Sequence, residues 1–260
     1  MVTFIQKLKE SKPAKDQIEV FWLGQAGFIV KTHGGKLIGV DPYLSEYAMR
    51  LFPENGLGFK RMMPPPCEAS ELELDILLVS HEHADHFDAD SIKDLMKNGR
   101  TQVYANAPVI AEMEKLGLDM KRAHLLKREQ KVSLDEFTLI PVDCDHGELA
   151  PEALGLVLDF GFTKLYYAGD TSLTPARLAY PVSLKPEIAI LPINGAFGNL
   201  DGEQAAEYAG TLGCKVCIPC HFWTFPLHHG EPQQIIDAMP AKAPDCQLCM
   251  LMQGEGVKLP

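Results

Sequence analysis

Four side chains able to hold a metal ion fall within six residues, His81-Glu82-His83-Ala84-Asp85-His86. They directly follow the apolar run Ile76-Leu77-Leu78-Val79-Ser80, which reads as a buried strand. Imidazole and carboxylate donors therefore sit on the loop that ends a strand, and such donors suit zinc, manganese or iron. So short a stretch cannot complete two metal shells, and the rest must come from elsewhere in the chain. His146 lies beyond a strand ending at Val142, Asp170 ends the run Tyr166-Tyr167-Ala168-Gly169, and His221 follows Val216-Cys217-Ile218-Pro219-Cys220. Each is a ligand-type side chain at the C-terminal end of a strand, where active-site groups commonly converge. Two divalent ions about 3.5–4 Å apart can share a water and lower its pKa, which gives a metal-bridging hydroxide as nucleophile. One ion then polarises the carbonyl or phosphoryl oxygen on which charge develops. Asp85 is the expected catalytic group, ligating one ion and relaying a proton.

The elements that must position these groups are legible in outline. Ile18 to Leu23, Gly27 to Thr32 and Lys36 to Val40 read as short strands, and Gly34-Gly35 marks a hairpin turn. Residues 43–74 break this rhythm with Pro53, Asn55-Gly56, Gly58 and Pro64-Pro65-Pro66, and read as an active-site excursion. Helices are predicted at Asp90 to Met96, Pro108 to Leu116, Gly202 to Leu212 and Pro232 to Met239, with Asn98-Gly99, Gly117 and Gly213 as stops. Further strands are predicted near Val103-Tyr104 and at Phe137 to Val142, Leu154 to Phe160, Lys164 to Ala168, Ile188 to Leu191, Lys215 to Pro219 and Gln247 to Met252. No solenoid repeat, low-complexity segment or linker interrupts the 260 residues, so one domain spanning 1–260 is expected.

Composition narrows the function classes. Hydrophobic residues make up 46% and charged residues 23% of the chain, the balance of an ordinary globular protein. The net charge of −11 argues against a protein that tracks along nucleic acid. No segment has the length and apolarity of a signal peptide or a membrane span, and the odd count of seven cysteines implies free thiols, so a cytoplasmic protein is expected. The expected partner is a small molecule; Arg50, Lys60 and Arg61 are candidates to meet an anionic one, against equally plain solvent-facing charges. Nothing in the sequence specifies an oligomeric state.

The ordered set H-x-H-x-D-H, a distant His, Gly169-Asp170-Thr171 and Ile218-Pro219-Cys220-His221 resembles the metallo-β-lactamase superfamily, over Phe21 to about Val257. The resemblance implies an α/β (α+β) fold, a four-layer αββα sandwich in a single domain. It implies that His81, His83 and His146 hold one metal, that Asp85, His86 and His221 hold the second, and that Asp170 bridges them. Phe21-Trp22-Leu23-Gly24-Gln25-Ala26-Gly27-Phe28, Asp41-Pro42-Tyr43-Leu44-Ser45, Leu191-Pro192-Ile193-Asn194-Gly195 and the aromatic stretch after His221 resemble the branch containing L-ascorbate-6-phosphate lactonase. That branch implies manganese, and the wider superfamily implies zinc. The expected activity is hydrolysis of a small ester, lactone or phosphoester. The rivals are an iron-dependent oxidoreductase or dioxygenase on the same fold, and a phosphodiesterase or nuclease.

Other residues carry weaker signals. Gln25 and Asn194 are candidate substrate contacts, each against a plain role in a turn, and His228 is a third, against plain solvation or extra metal binding on its loop. Cys214, Cys217 and Cys220, with Cys246 and Cys249, give repeated C-x-x-C spacings. Residues three apart in a strand face opposite sides, so these are expected to be buried structural thiols rather than a zinc knuckle.

Overall fold

The computed structural model describes residues 2–260. The chain divides into two compact units, one running up to Leu125 and rejoined by Leu251–Pro260, the other spanning Leu126–Met250.

The first unit is built on a seven-stranded sheet. Strands β1 (Ile18–Gly24), β2 (Gly27–Lys31) and β3 (Leu37–Val40) form an antiparallel meander, and Gly35 lies in the hairpin turn expected at Gly34-Gly35. β4 (Ile76–Val79), β5 (Gln102–Ala105) and β6 (Ala123–Leu125) then add in parallel. The last strand of the chain, β14 (Gly256–Leu259), pairs antiparallel with the far edge of β1. Alternate residues Phe21, Leu23, Ile29, Leu77, Val79, Val103 and Ala105 enter one apolar cluster, the period of two that a pleated sheet imposes. The helices α3 (Ile92–Leu95) and α4 (Ala107–Lys115) contribute Ile92, Leu95, Val109 and Met113 to it. Asn106 caps α4, its side-chain oxygen accepting from the Val109 N–H.

The second unit repeats this plan. β7 (Val132–Ser133), β8 (Thr138–Asp143), β9 (Leu154–Asp159) and β10 (Lys164–Tyr167) are antiparallel, and β11 (Ile188–Pro192), β12 (Val216–Cys220) and β13 (Gln247–Leu248) continue in parallel. The parallel half needs helical crossovers. They are supplied by α5 (Pro175–Ser183), α6 (Gly202–Leu212) and α7 (Pro232–Lys242). Asp201 and Gln204 close a capping box at the start of α6, and Gly213 ends it in the left-handed conformation, matching the boundaries read from sequence. α6 and α7 pack closely: a Cβ on Gly210 would stand 2.2 Å from the carbonyl oxygen of Lys242.

Several expectations need correction. The strand predicted over Gln247 to Met252 covers only Gln247–Leu248. The excursion is not structureless, since it holds α2 (Tyr47–Leu51) and two 3-10 turns at Pro53–Asn55 and Ala69–Glu71. Helix α1 (Phe4–Glu10), α5 and β14 had no clear sequence signal. α1 is short and lysine-rich, α5 carries Pro181 inside it, and β14 gains its strand character from pairing with β1.

Candidate metal centre

In the first unit the ligand loop leaves the C-terminal end of β4 and at once makes a tight turn. The N–H groups of His86 and Phe87 both donate to the carbonyl of His83. That turn gathers the imidazoles: the His81 ring lies 4.6 Å from His83 and 4.0 Å from His86 between centroids. His81 Nε2 and His83 Nδ1 converge to 3.1 Å. Two imidazoles on one tetrahedral zinc have nitrogens about 3.3 Å apart, so this spacing fits a shared ion. Asp41, His81 and His86 are all buried, with ligand-type atoms within 4.8 Å of one another.

Asp41 was not among the residues singled out as ligands, and its geometry explains its place. It follows β3, adopts a left-handed φ of 42°, and aims its carboxylate at His86 Nδ1 at 2.7 Å. The same carboxylate accepts from the Ser80 N–H at 2.8 Å and from the Ser80 hydroxyl. With Nδ1 of His86 held in this way, Nε2 is the nitrogen left to face a ligand, and it lies 3.9 Å from Asp85 Oδ2. Its signal in the sequence was a carboxylate at a strand's C-terminal end, the same signal that marked Asp170.

Gln25 sits in the tight β1–β2 turn with φ 51° and is 1% exposed. Its side-chain amide donates to Asp85 Oδ2 at 2.8 Å, while its main-chain carbonyl accepts from the Trp22 indole at 2.9 Å. The structure thus gives Gln25 the task of orienting Asp85. Asp88, also unremarked in the sequence, accepts from the Leu44 N–H at 2.9 Å and the Ser45 and Ser91 hydroxyls at 2.6 Å each, pinning the start of the excursion to the end of the ligand loop.

In the second unit His146 follows β8, Asp170 follows β10 and His221 follows β12, as expected, and all three are buried. The Asp170 carboxylate stands between the two imidazoles. Its Oδ1 is 3.3 Å from His221 Nε2 and its Oδ2 is 3.8 Å from His146 Nε2. His221 has φ 61°, a conformation costly for a β-substituted residue and concentrated at functional sites. The Cys144 thiol donates to the Asp170 carbonyl at 2.8 Å, and full burial pushes that thiol's pKa up, so it remains a neutral support.

The loop carrying His146 is clamped by a network that the sequence did not reveal. Arg177 on α5 grips Asp143 with two bonds of 3.0 and 2.9 Å and reaches Asp145 at 2.6 Å. Burial works against ionisation of Asp143, but the Arg177 hydrogen bonds and the charges of Arg128 and Arg177 outweigh it and hold the carboxyl below its usual range. Asp145 is likewise held low against burial by Thr174, Ser172 and Arg177.

Asn194 and His228 do come together, with Asn194 Nδ2 and His228 Nδ1 3.5 Å apart. Both line a cavity of about 330 Å³ that also includes His229, Glu231 and Gln234. The His228 ring lies 5.5 Å from that of His221 and 5.1 Å edge-on from Phe197. The cations of the excursion are otherwise engaged. Arg50 pairs with Asp90, and Lys60 with Glu46 at 2.8 Å. Arg61 is 5% exposed and spends Nη1 on the Tyr43 carbonyl at 2.8 Å.

A family model described as the beta-lactamase superfamily domain matches residues 38–222. The chain belongs to that family. It has the mixed α/β metallo-β-lactamase fold, with two sheets and seven α-helices among the described residues. It is similar to a UPF0173 metal-dependent hydrolase of Polynucleobacter asymbioticus, 27% identical and covering 94% of this chain and 87% of the relative. Among solved structures it is similar to a metallo hydrolase from the archaeon Ignicoccus hospitalis, with TM-score 0.71 and 21% identity, over 94% and 99% of the two chains. It also matches the metallo-beta-lactamase fold protein YhfI from Bacillus subtilis, with TM-score 0.69 and 15% identity, over 94% and 99%. No helix among the described residues is long and apolar enough to cross a membrane.

Proposed function

We propose that the chain is a metal-dependent hydrolase that uses two divalent ions, zinc or manganese, on a small ester or lactone. The observation that carries this reading is Asp170, whose two oxygens each face a different buried imidazole. A carboxylate so flanked can serve two ions at once. Asp170, His146 and His221 form one donor set and His81, His83, Asp85 and His86 the other, and each alone leaves the shells of two ions unfilled. Both sets consist of nitrogen and oxygen donors, which suits zinc, manganese and iron alike. Ions held there would lower the pKa of a bound water and polarise the scissile carbonyl.

The chain's own residues do the rest. Asp41 fixes the tautomer and tilt of His86, and Gln25 donates to Asp85 Oδ2, the oxygen that faces His86 Nε2, and so orients that carboxylate. Asn194 and His228 offer an amide and an imidazole to the substrate beside His221. An uncharged acyl substrate is favoured over a phosphorylated or nucleic-acid one, because Arg50 and Lys60 are paired with carboxylates, Arg61 is buried, and the net charge is −11. Lactonase-like chemistry, on an unphosphorylated substrate, and a reducing cytoplasmic setting belong to the same reading, the latter consistent with seven free cysteines.

Elemental analysis of protein purified without added metal is expected to find about two zinc or manganese ions per chain. His86→Ala should lose at least one ion and lower kcat/KM on the best ester or lactone by about 100-fold or more, roughly 3 kcal/mol of barrier. Redox-active iron with oxygen uptake would instead favour an oxidoreductase. Full metal content and turnover in His86→Ala would overturn the assignment.

A further inference from the structure

The two C-x-x-C segments stand outside this hydrolytic chemistry, and their placement is not that of residues along continuous strands. Cys214 precedes β12, in the turn that follows α6; Cys246 precedes β13, in the turn that follows α7. Both sites are the turns that lead from helix to strand in consecutive helix–strand units, offset by one residue in the strand register. The units lie side by side: α6 packs on α7, and β12 pairs in parallel with β13 from Val216↔Gln247 onward. The Gln247 N–H donates to the Lys215 carbonyl at 2.8 Å, fixing the two main chains together one residue beyond each cysteine. The strand-alternation argument against a cysteine pair does not reach Cys214 and Cys246, because they meet across two chain segments and not along one. Their sulfurs are 3.5 Å apart.

We propose that Cys214 and Cys246 are an oxidisable dithiol, which a low-molecular-weight disulfide of the oxidised-glutathione type converts into a bond joining β12 to the edge strand β13. Neighbouring paired strands run about 4.8 Å apart, within the range of main-chain separations that a disulfide spans. Forming the bond closes the sulfurs from their contact distance of 3.5 Å to about 2 Å. Cys246 is the half-buried partner and Cys214 the buried one, so an incoming reagent meets Cys246 first. The hydrogen bond from Cys214 favours the Cys246 thiolate against burial, which strengthens it as the attacking sulfur.

The chemistry balances with one disulfide as oxidant. The Cys246 thiolate attacks a glutathione sulfur, a protein–glutathione bond forms, and the other glutathione leaves as thiolate and takes a proton. Cys214 then gives up its proton and attacks the Cys246 sulfur, forming the intramolecular bond and releasing the second glutathione. Two protein thiols are oxidised and one disulfide is reduced to two thiols. In a reducing compartment such a bond is transient, as in redox-sensing proteins. This inference does not depend on the hydrolase reading.

The test is equilibration of the intact protein with graded ratios of oxidised to reduced glutathione, alkylation of the remaining thiols, and non-reducing mass spectrometry. At oxidising ratios the expected product has lost two alkylatable thiols, and a tryptic peptide ending at Lys215 is joined to the one beginning at Ala243 through Cys246. Cys214→Ser should stop at one glutathione on Cys246, and Cys246→Ser should leave Cys214 unmodified. The linked protein should melt several degrees higher, because the bond closes a long loop of chain. Seven alkylated cysteines at the most oxidising ratio would overturn the proposal. So would a preferred link through Cys217 or Cys249, or joint protection of Cys214, Cys217, Cys246 and Cys249 by a co-purified zinc ion.

Discussion

Asp41 and Gln25 show how much of a metal centre depends on residues that need not touch the metal. Asp41 accepts a hydrogen bond from His86, and Gln25 donates one to Asp85, so each fixes the orientation of a proposed ligand. Both sit at left-handed φ, as does His221. Such conformations cost roughly 1–3 kcal/mol each and persist where the surroundings over-determine them. Asp41→Asn keeps the size of the side chain and removes its charge. Metal affinity in this variant, measured by competition with a chromophoric chelator, is expected to fall about 10–100-fold. Unchanged affinity would mean that His86 is held by other contacts.

Two elements carry predictions of their own. Helix α5 reaches the His146 loop through Arg177, and both of its carboxylate partners are less than a third exposed. Replacing the guanidinium, as in Arg177→Met, should cost roughly 2 kcal/mol at neutral pH, the scale of hydrogen bonds to charged groups. The pH dependence has a definite sign. Asp143 and Asp145 are held below the ordinary carboxylate range in the folded protein, so their contribution is complete above about pH 4, their unfolded value. It is lost as pH falls through the lower folded values. Thermal melts should therefore show a wide gap between wild type and Arg177→Met at pH 7 that narrows below about pH 4. The α6–α7 pair makes a second demand. A methyl group at Gly210 meets backbone and not a flexible side chain, so the helices must separate. Gly210→Ala should lower stability by about 1–3 kcal/mol in denaturant melts, although alanine is the better helix former.

At the scale of the whole molecule, metal binding and folding are linked. The proposed ligands lie on loops after strands in each of the two sheets, and a cation held by such imidazoles and carboxylates offsets the cost of burying them. Ions that bind the folded chain alone stabilise it by about 2.7 kcal/mol at one hundred times their dissociation constant. A melting temperature lowered by roughly 5–10 °C on exhaustive chelation, and restored by zinc or manganese, is the expected outcome in calorimetry. His86→Ala should show a clearly smaller chelator effect than wild type, since it holds fewer ions. A chelator effect equal to that of wild type would place the bound ions elsewhere.

The amino-acid sequence by itself determined the strand-end setting of the candidate donors and most of the parallel strands, because apolar runs and the helix stop at Gly213 are local signals. It also carried the family likeness, through the order of its motifs. Only the tertiary structure decided that Asp41 braces His86, that Arg177 locks the His146 loop, and that Cys214 meets Cys246. These pairings join residues about 30 to 45 positions apart along the chain, as the spans from Asp41 to His86 and from Cys214 to Cys246 show. No periodicity or propensity encodes such a meeting. It follows from strand order and register, which are set by burying the sheets as a whole and not by any one segment.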